Sequence, residues 1–236
     1  VLRPEDTRFG ALWALAEEIP GWLTKDQARA LYEGVLAARP GATVVEIGSH
    51  QGRSTVVLAG ARDDVDVIAI DPHEAGGRFG GRATGDRFRE NLRRAGVSQR
   101  VRHLPLRSQD AYAGWSVPVD LLYVDGKHDY WSVRRDLRWV SHLRPEGAVF
   151  VHDVLGSFGV TCALLADLVS SRSVGFVARW GSLARFTVGA PTVAQRRAFL
   201  AGLPWFARNL LVKATLRTRL RSVTRLLGHH DLDDPY

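Results

Sequence analysis

Residues 123–132, YVDGKHDYWS, set Asp125, Lys127, His128 and Asp129 directly behind an apolar run, and a second apolar run, AVFV, ends on His152 and Asp153. Carboxylates and imidazoles gathered at segment ends are the groups that hold cations and move protons. Asp125 before Gly126 also suits an Asx-type turn. His128 also suits a surface position or a hydrogen bond to a substrate, and Lys127 and Asp129 read as solvated or loop-ordering. A different chemistry is written in EIGSHQGRS, residues 46–54. A dinucleotide site wants GxGxxG, because its middle glycine lets a pyrophosphate approach the backbone. Here Gly48 and Gly52 frame the turn and His50 fills the middle slot. The pattern ExGxxxG suits a nucleoside ligand without phosphates, such as S-adenosylmethionine. Glu46, Gly48, Ser49, Gly52 and Ser54 are its candidate contacts, and Asp71, ending the next apolar run, is placed for both ribose hydroxyls.

These residues need elements that bring them together. Strand-like and helix-like segments alternate along the chain, the signature of a layered α/β domain. Residues 4–40 read as helical, with Thr24 as a helix cap. Strands are expected at 43–48, 66–71, 101–106, 119–125 and 148–153, then GFVAR and LARFTV as a closing antiparallel pair joined by WGS. Helices are expected near 54–61, 87–95 and 131–141. The expected fold is therefore α/β and Rossmann-like: a seven-stranded, mostly parallel sheet with its last strand antiparallel and helices on both faces. Ligands of such sheets sit outside the carboxyl ends of the strands. That rule collects Glu46 and Gly48, Asp71, Ser108 to Asp110, Asp125 to His128, and His152 with Asp153 into one constellation. Ser108, Gln109 and Asp110 are equally placed to approach an adenine. The expected organisation is a helical segment at 1–40, a cofactor-binding core at 41–190 and a basic helical extension at 191–236.

With those motifs in hand, residues 43–155 resemble the class I S-adenosylmethionine-dependent methyltransferases. VVEIGSHQGRST paired with LLYVDGKHDY and VFVHD is similar to the bacterial, metal-dependent small-molecule and sugar O-methyltransferases. The resemblance implies Asp125, His152 and Asp153 as ligands of Mg2+, with His128 as the base that takes the proton of a substrate hydroxyl. It implies S-adenosylmethionine as methyl donor and a saccharide or other polyhydroxylated acceptor, catechols being a variant. His152 departs from the second carboxylate usual in these relatives, and imidazole is less typical for magnesium, so Mn2+ is the alternative.

Composition narrows the classes. The chain has 236 residues, 45% of them hydrophobic, enough for one sizeable core. Cys162 is the single cysteine, so no intramolecular disulfide or zinc-type spacing exists and a reducing cytoplasm fits. The N-terminal residues lack the basic-then-apolar pattern of a secretion signal, and no apolar run reaches membrane-spanning length. The net charge of +7 is concentrated in residues 192–228, which hold eight basic residues and no acid. A nucleic-acid methyltransferase is the rival reading, but VDGKHDY stands where an amino-methylating enzyme carries a base-holding [DNS]PPY-like motif, and the terminal DDPY is misplaced for that role. A non-catalytic protein on the same scaffold is the third reading. The basic stretch LPWFARNLLVKATLRTRLRSVTRLL is expected to form an amphipathic helix through Leu216, Leu220, Val223 and Leu227. Packing within a homo-oligomer is its favoured role, ahead of an anionic membrane surface or a nucleic acid. The glycine-rich loop from Glu74 to Asp86 reads as a lid over cofactor and acceptor, and Tyr130, Trp131 and Trp180 as aromatic faces for a sugar.

Overall fold

In the computed structural model, residues 4–74, 81–168 and 173–230 are described. Seven strands form one sheet: β1 (Thr43–Ile47), β2 (Asp66–Ile70), β3 (Val101–Leu104), β4 (Val119–Val124), β5 (Leu143–Val151), β6 (Val174–Trp180) and β7 (Leu183–Val188). Their order is β3-β2-β1-β4-β5-β7-β6. Strands β1 to β5 pair in parallel, and β7 runs antiparallel between β5 and β6. The expected antiparallel last strand is present, inserted beside β5 and not at the sheet edge.

Alternation along the central strands divides the core. Val44, Leu121, Tyr123 and Phe150 face α1 (Pro4–Ala16), α2 (Lys25–Ala37), α3 (Arg53–Gly60) and α4 (Arg82–Arg94). Val45, Ile47, Leu122, Val124 and Val149 face α5 (Ser108–Ala113), α6 (Tyr130–Asp136), α7 (Phe158–Ala166) and α8 (Val193–Leu200). Strands covered on both faces read as unbroken apolar runs, which is why β1 and β4 are recognisable in the sequence. Thr24 caps α2 through a reciprocal capping box with Gln27.

Some elements differ from expectation. Helix α4 starts at Arg82, five residues before the expected start, and the expected 131–141 helix tightens into a 3₁₀ turn at Leu137–His142. Helix α5 is too short for a periodic signal, and α7 is too uniformly apolar to show one. The basic stretch is two helices, α9 (Leu203–Arg217) and α10 (Arg221–Leu226), separated where Arg219 takes φ 58°. Leu220 and Val223 are exposed while Leu216 and Leu227 are half-buried, so these four do not make one buried stripe. Residues 75–80 of the expected lid lie outside the described residues, and residues 82–86 of it form the start of α4; the terminal DDPY also lies outside them. Among the described residues no helix is long and apolar enough to cross a membrane.

Candidate active site

The turn between β1 and α3 is built by its glycines. Gly48 and Gly52 both take φ 91°, in the left-handed region that glycine enters without strain. A Cβ on Gly48 would lie 2.1 Å from the carbonyl oxygen of Asp125. This glycine therefore presses the turn directly onto the end of β4, a contact that also sets Asp125 N on Ile47 O at 2.8 Å. Beneath the turn, Glu46 is fully buried and accepts hydrogen bonds from the hydroxyls of Ser54 and Thr55. Burial pushes its carboxyl up to about 7 against the pull of those hydroxyls. Glu46 and Ser54 thus brace the turn from below. Ser49, also buried, stands in the same turn and helps hold the Glu46 carboxyl down.

Asp71 stands just past β2 with its carboxylate aimed by the backbone. His50 N donates to Oδ2 at 2.8 Å and His73 N to Oδ1 at 2.9 Å. A carboxylate keeps further lone pairs after two such bonds, so Asp71 can still accept from a ligand. His73 Nε2 lies 2.8 Å from the His50 carbonyl, His103 Nε2 lies 3.2 Å from the Asp71 carbonyl, and the two rings pack with Phe88. Burial lowers the pKa of His50 and His103. His73 and His103 were not singled out by the sequence, because their role is local packing behind Asp71 and no spacing signals it. On the far side, Ser108 donates to the buried Asp136, whose carboxyl burial pushes up to about 6. Gln109 and Asp110 are exposed in the first turn of α5.

The polar ends of β4 and β5 converge. His128 Nδ1 is 2.9 Å from Asp153 Oδ2, and its Nε2 is 3.5 Å from Asp125 Oδ1. Burial alone would lower the His128 pKa, but the hydrogen bonds and charges of Asp125 and Asp153 push it up to about 10. Burial likewise would raise Asp153, and the His128 hydrogen bond holds it below its ordinary value. Asp125 Oδ2 also accepts from Tyr123 at 2.9 Å, and the Asp125 side chain is 26% exposed against 4% for Asp153. Asp153 sits at φ 58°, and its carbonyl accepts from Gly156 N and Ser157 N.

Three residues from outside the motifs hold this loop. Gln27 of α2, buried, donates through Nε2 to Trp180 O and Ser182 Oγ and accepts from Thr24 N, so its Oε1 faces His152 Nε2 at 3.3 Å as an acceptor. From α9, Asn209 donates to Leu155 O at 3.2 Å and Lys213 to Gly156 O at 2.6 Å. These contacts span 54 or more positions in the chain, and no local pattern reports them. Asp129 caps α6 through Ser132 and pairs with Lys127. Burial would raise its carboxyl, yet those partners hold it at about 2, in keeping with the loop-ordering reading. Trp131 is 69% exposed next to Tyr130, whereas Trp180 is half-buried and packs against Phe150 at the edge of the core.

The implied metal ligands Asp125, His152 and Asp153 stand together at the ends of β4 and β5. Among the described residues no three His, Cys, Asp or Glu side chains are grouped to hold a metal ion. His152 Nδ1 lies 3.4 Å from Asp125 and 3.6 Å from Asp153, while His128 takes the closer place on Asp153. As the side chains stand, the His128 ring lies between the two carboxylates as their near cation. His128, the implied base, has a carboxylate near each ring nitrogen, and these push its pKa up to about 10. The donor set around the glycine turn does fit a nucleoside, with the Asp71 carboxylate oriented by two backbone N–H groups for ribose hydroxyls.

Comparison with known proteins agrees with the geometry. Residues 45–154 match the family described as "Methyltransferase domain". Among solved structures, cofactor-bound Rv0187 from MTB is 23% identical with a TM-score of 0.59, covering 79% of this chain and 90% of its own. The O-methyltransferase TomG from Streptomyces achromogenes, involved in tomaymycin synthesis and solved with S-adenosylmethionine, is 20% identical (TM-score 0.57; 80% and 93% covered). The O-methyltransferase NovP is 16% identical (TM-score 0.62; 78% and 98% covered). At these identities the structures share the fold.

Proposed function

From the premise that the chain carries a methyltransferase domain on the class I fold, we propose that it is an S-adenosylmethionine-dependent O-methyltransferase acting on a hydroxyl of a small polyhydroxylated acceptor, a saccharide first among them. One observation carries this reading: Gly48 of the cofactor turn abuts the Asp125 backbone, with no room for a Cβ between them. A methyl donor seated on that turn has its reactive end beside the Asp125–His128–Asp153 cluster. Asp71 takes the ribose hydroxyls, Gly48, Ser49 and Gly52 shape the turn, and Ser108 to Asp110 border the adenine. The sulfonium of the donor supplies an activated methyl group.

The acid cluster then handles the acceptor. As the acceptor oxygen bonds to the methyl carbon, its proton becomes strongly acidic, so a carboxylate suffices to take it. Asp125, the more exposed carboxylate, is that acceptor. His128 holds Asp125 and Asp153 at fixed separation as their shared cation, and His152, aimed by Gln27, lines the same floor. Orientation of the hydroxyl in line with the carbon–sulfur bond is the other contribution such a site makes. The test is to incubate the chain with S-adenosylmethionine and a panel of saccharides and catechols, with and without chelator, and to measure S-adenosylhomocysteine. Turnover on a polyhydroxylated acceptor that survives chelation agrees with this reading, and turnover abolished by chelation restores a metal to the cluster. Turnover confined to RNA overturns the acceptor class.

A further inference from the structure

The basic extension is not absorbed by methyl transfer. Residues 192–230 contain eight basic residues and no acid, while the rest of the chain is close to neutral; three aspartates follow in the last six residues. The stretch is ordered as a folded hairpin of helices. Arg208 Nε donates to Leu227 O at 2.7 Å, and Thr224 Oγ1 to Thr215 Oγ1 at 2.8 Å, tying α10 to α9. Its exposed positions include a run of apolar residues. Along α9 the exposed positions Pro204, Ala207, Leu211 and Ala214 follow helical spacing with no polar residue among them. On and beside α10, Leu220, Val223 and Leu226 are 53%, 43% and 86% exposed. Between and beside them stand Arg217, Arg219, Arg221 and Arg225, all exposed, and none meets a carboxylate among the described residues.

We propose that α9 and α10 dock this protein onto an anionic lipid surface, the leucines and Val223 entering the headgroup boundary and the four arginines meeting lipid phosphates. An exposed apolar strip bordered by arginine is the arrangement that binds in a membrane interface, and each basic residue near such a surface adds to the attraction. Charge favours this occupant over a second copy, because a two-fold contact would lay this face against itself and oppose like charges. A nucleic acid would use the arginines and leave the leucines in water. The nearby aromatics are engaged elsewhere: Trp205 lies under Arg179, and Phe206 stacks on Phe158.

The experiment is co-sedimentation of the full chain with vesicles of phosphatidylcholine alone and of phosphatidylcholine mixed with phosphatidylglycerol, at low and high salt. Two variants separate the contributions: Arg219→Glu with Arg221→Glu, and Leu211→Ser with Leu226→Ser, each checked for folding by circular dichroism. The expected result is retention on the phosphatidylglycerol vesicles alone, weakened by salt, and reduced about tenfold or more by each double substitution. Failure to sediment with either vesicle overturns the proposal. So does vesicle binding that neither variant alters, tighter binding to duplex RNA than to vesicles, or a leucine variant that only dissociates a dimer in sedimentation velocity.

Discussion

Asp71, Asp125 and Glu46 are three carboxylates with three environments, and each leads to a different expectation. Asp71 is half-buried and pre-aimed by two backbone N–H groups. Asp71→Ala should raise the dissociation constant for S-adenosylmethionine by roughly 10-fold to 100-fold, as befits loss of hydrogen bonds to a charged group, with acceptor KM unchanged; calorimetric titration reads this directly. Glu46 is buried with a carboxyl near 7, above its unfolded value. A group raised in this way gives its full stability below the unfolded pKa and loses it as pH climbs through the folded one. The wild type should therefore lose stability between about pH 4.5 and 7 relative to Glu46→Gln, as followed by urea denaturation across that range; parallel curves would contradict the assignment. At this scale the sequence located residues at strand ends better than it revealed their surroundings. Asp71 and Asp125 were identifiable because strand ends are predictable. The burial of Glu46, the His128 ion pairs and the Gln27 contact are tertiary facts with no spacing to announce them.

At the scale of elements, the alternating runs made β1, β2, β4 and β5 readable, since buried parallel strands leave little room for polar residues. The 3₁₀ turn after α6, the uniformly apolar α7 and the break at Arg219 were not readable, because each depends on what packs against it. The critical junction is the β1 turn against the end of β4. Gly48→Ala would force a Cβ into the Asp125 backbone and strain a φ of 91°. A loss of several kcal/mol is expected from such combined overpacking and backbone strain, seen as a lowered Tm, with methyl transfer abolished in whatever remains folded. An alanine variant of unchanged Tm would show that the two elements do not abut.

Over the whole molecule, the active-site loop is held from both ends of the chain: Gln27 of α2 sets His152, and Asn209 and Lys213 of α9 hold Leu155 and Gly156. Asn209→Ala leaves a buried carbonyl without its donor, so a cost of about 1–3 kcal/mol is expected. kcat should fall while the cofactor dissociation constant stays within a few-fold, because Asp71 and the glycine turn lie on the other side of β4. If the cofactor turn and the Asp125–His128–Asp153 cluster form one methyl-transfer site, as proposed, changes in the cluster should spare the cofactor and slow the chemistry. The measurement compares wild type, Asp125→Asn and His128→Ala for S-adenosylmethionine binding and for S-adenosylhomocysteine produced with a polyhydroxylated acceptor. Near-normal cofactor binding and a fall in kcat of roughly 10²-fold to 10⁴-fold are expected for both variants. Full turnover in either variant would contradict it.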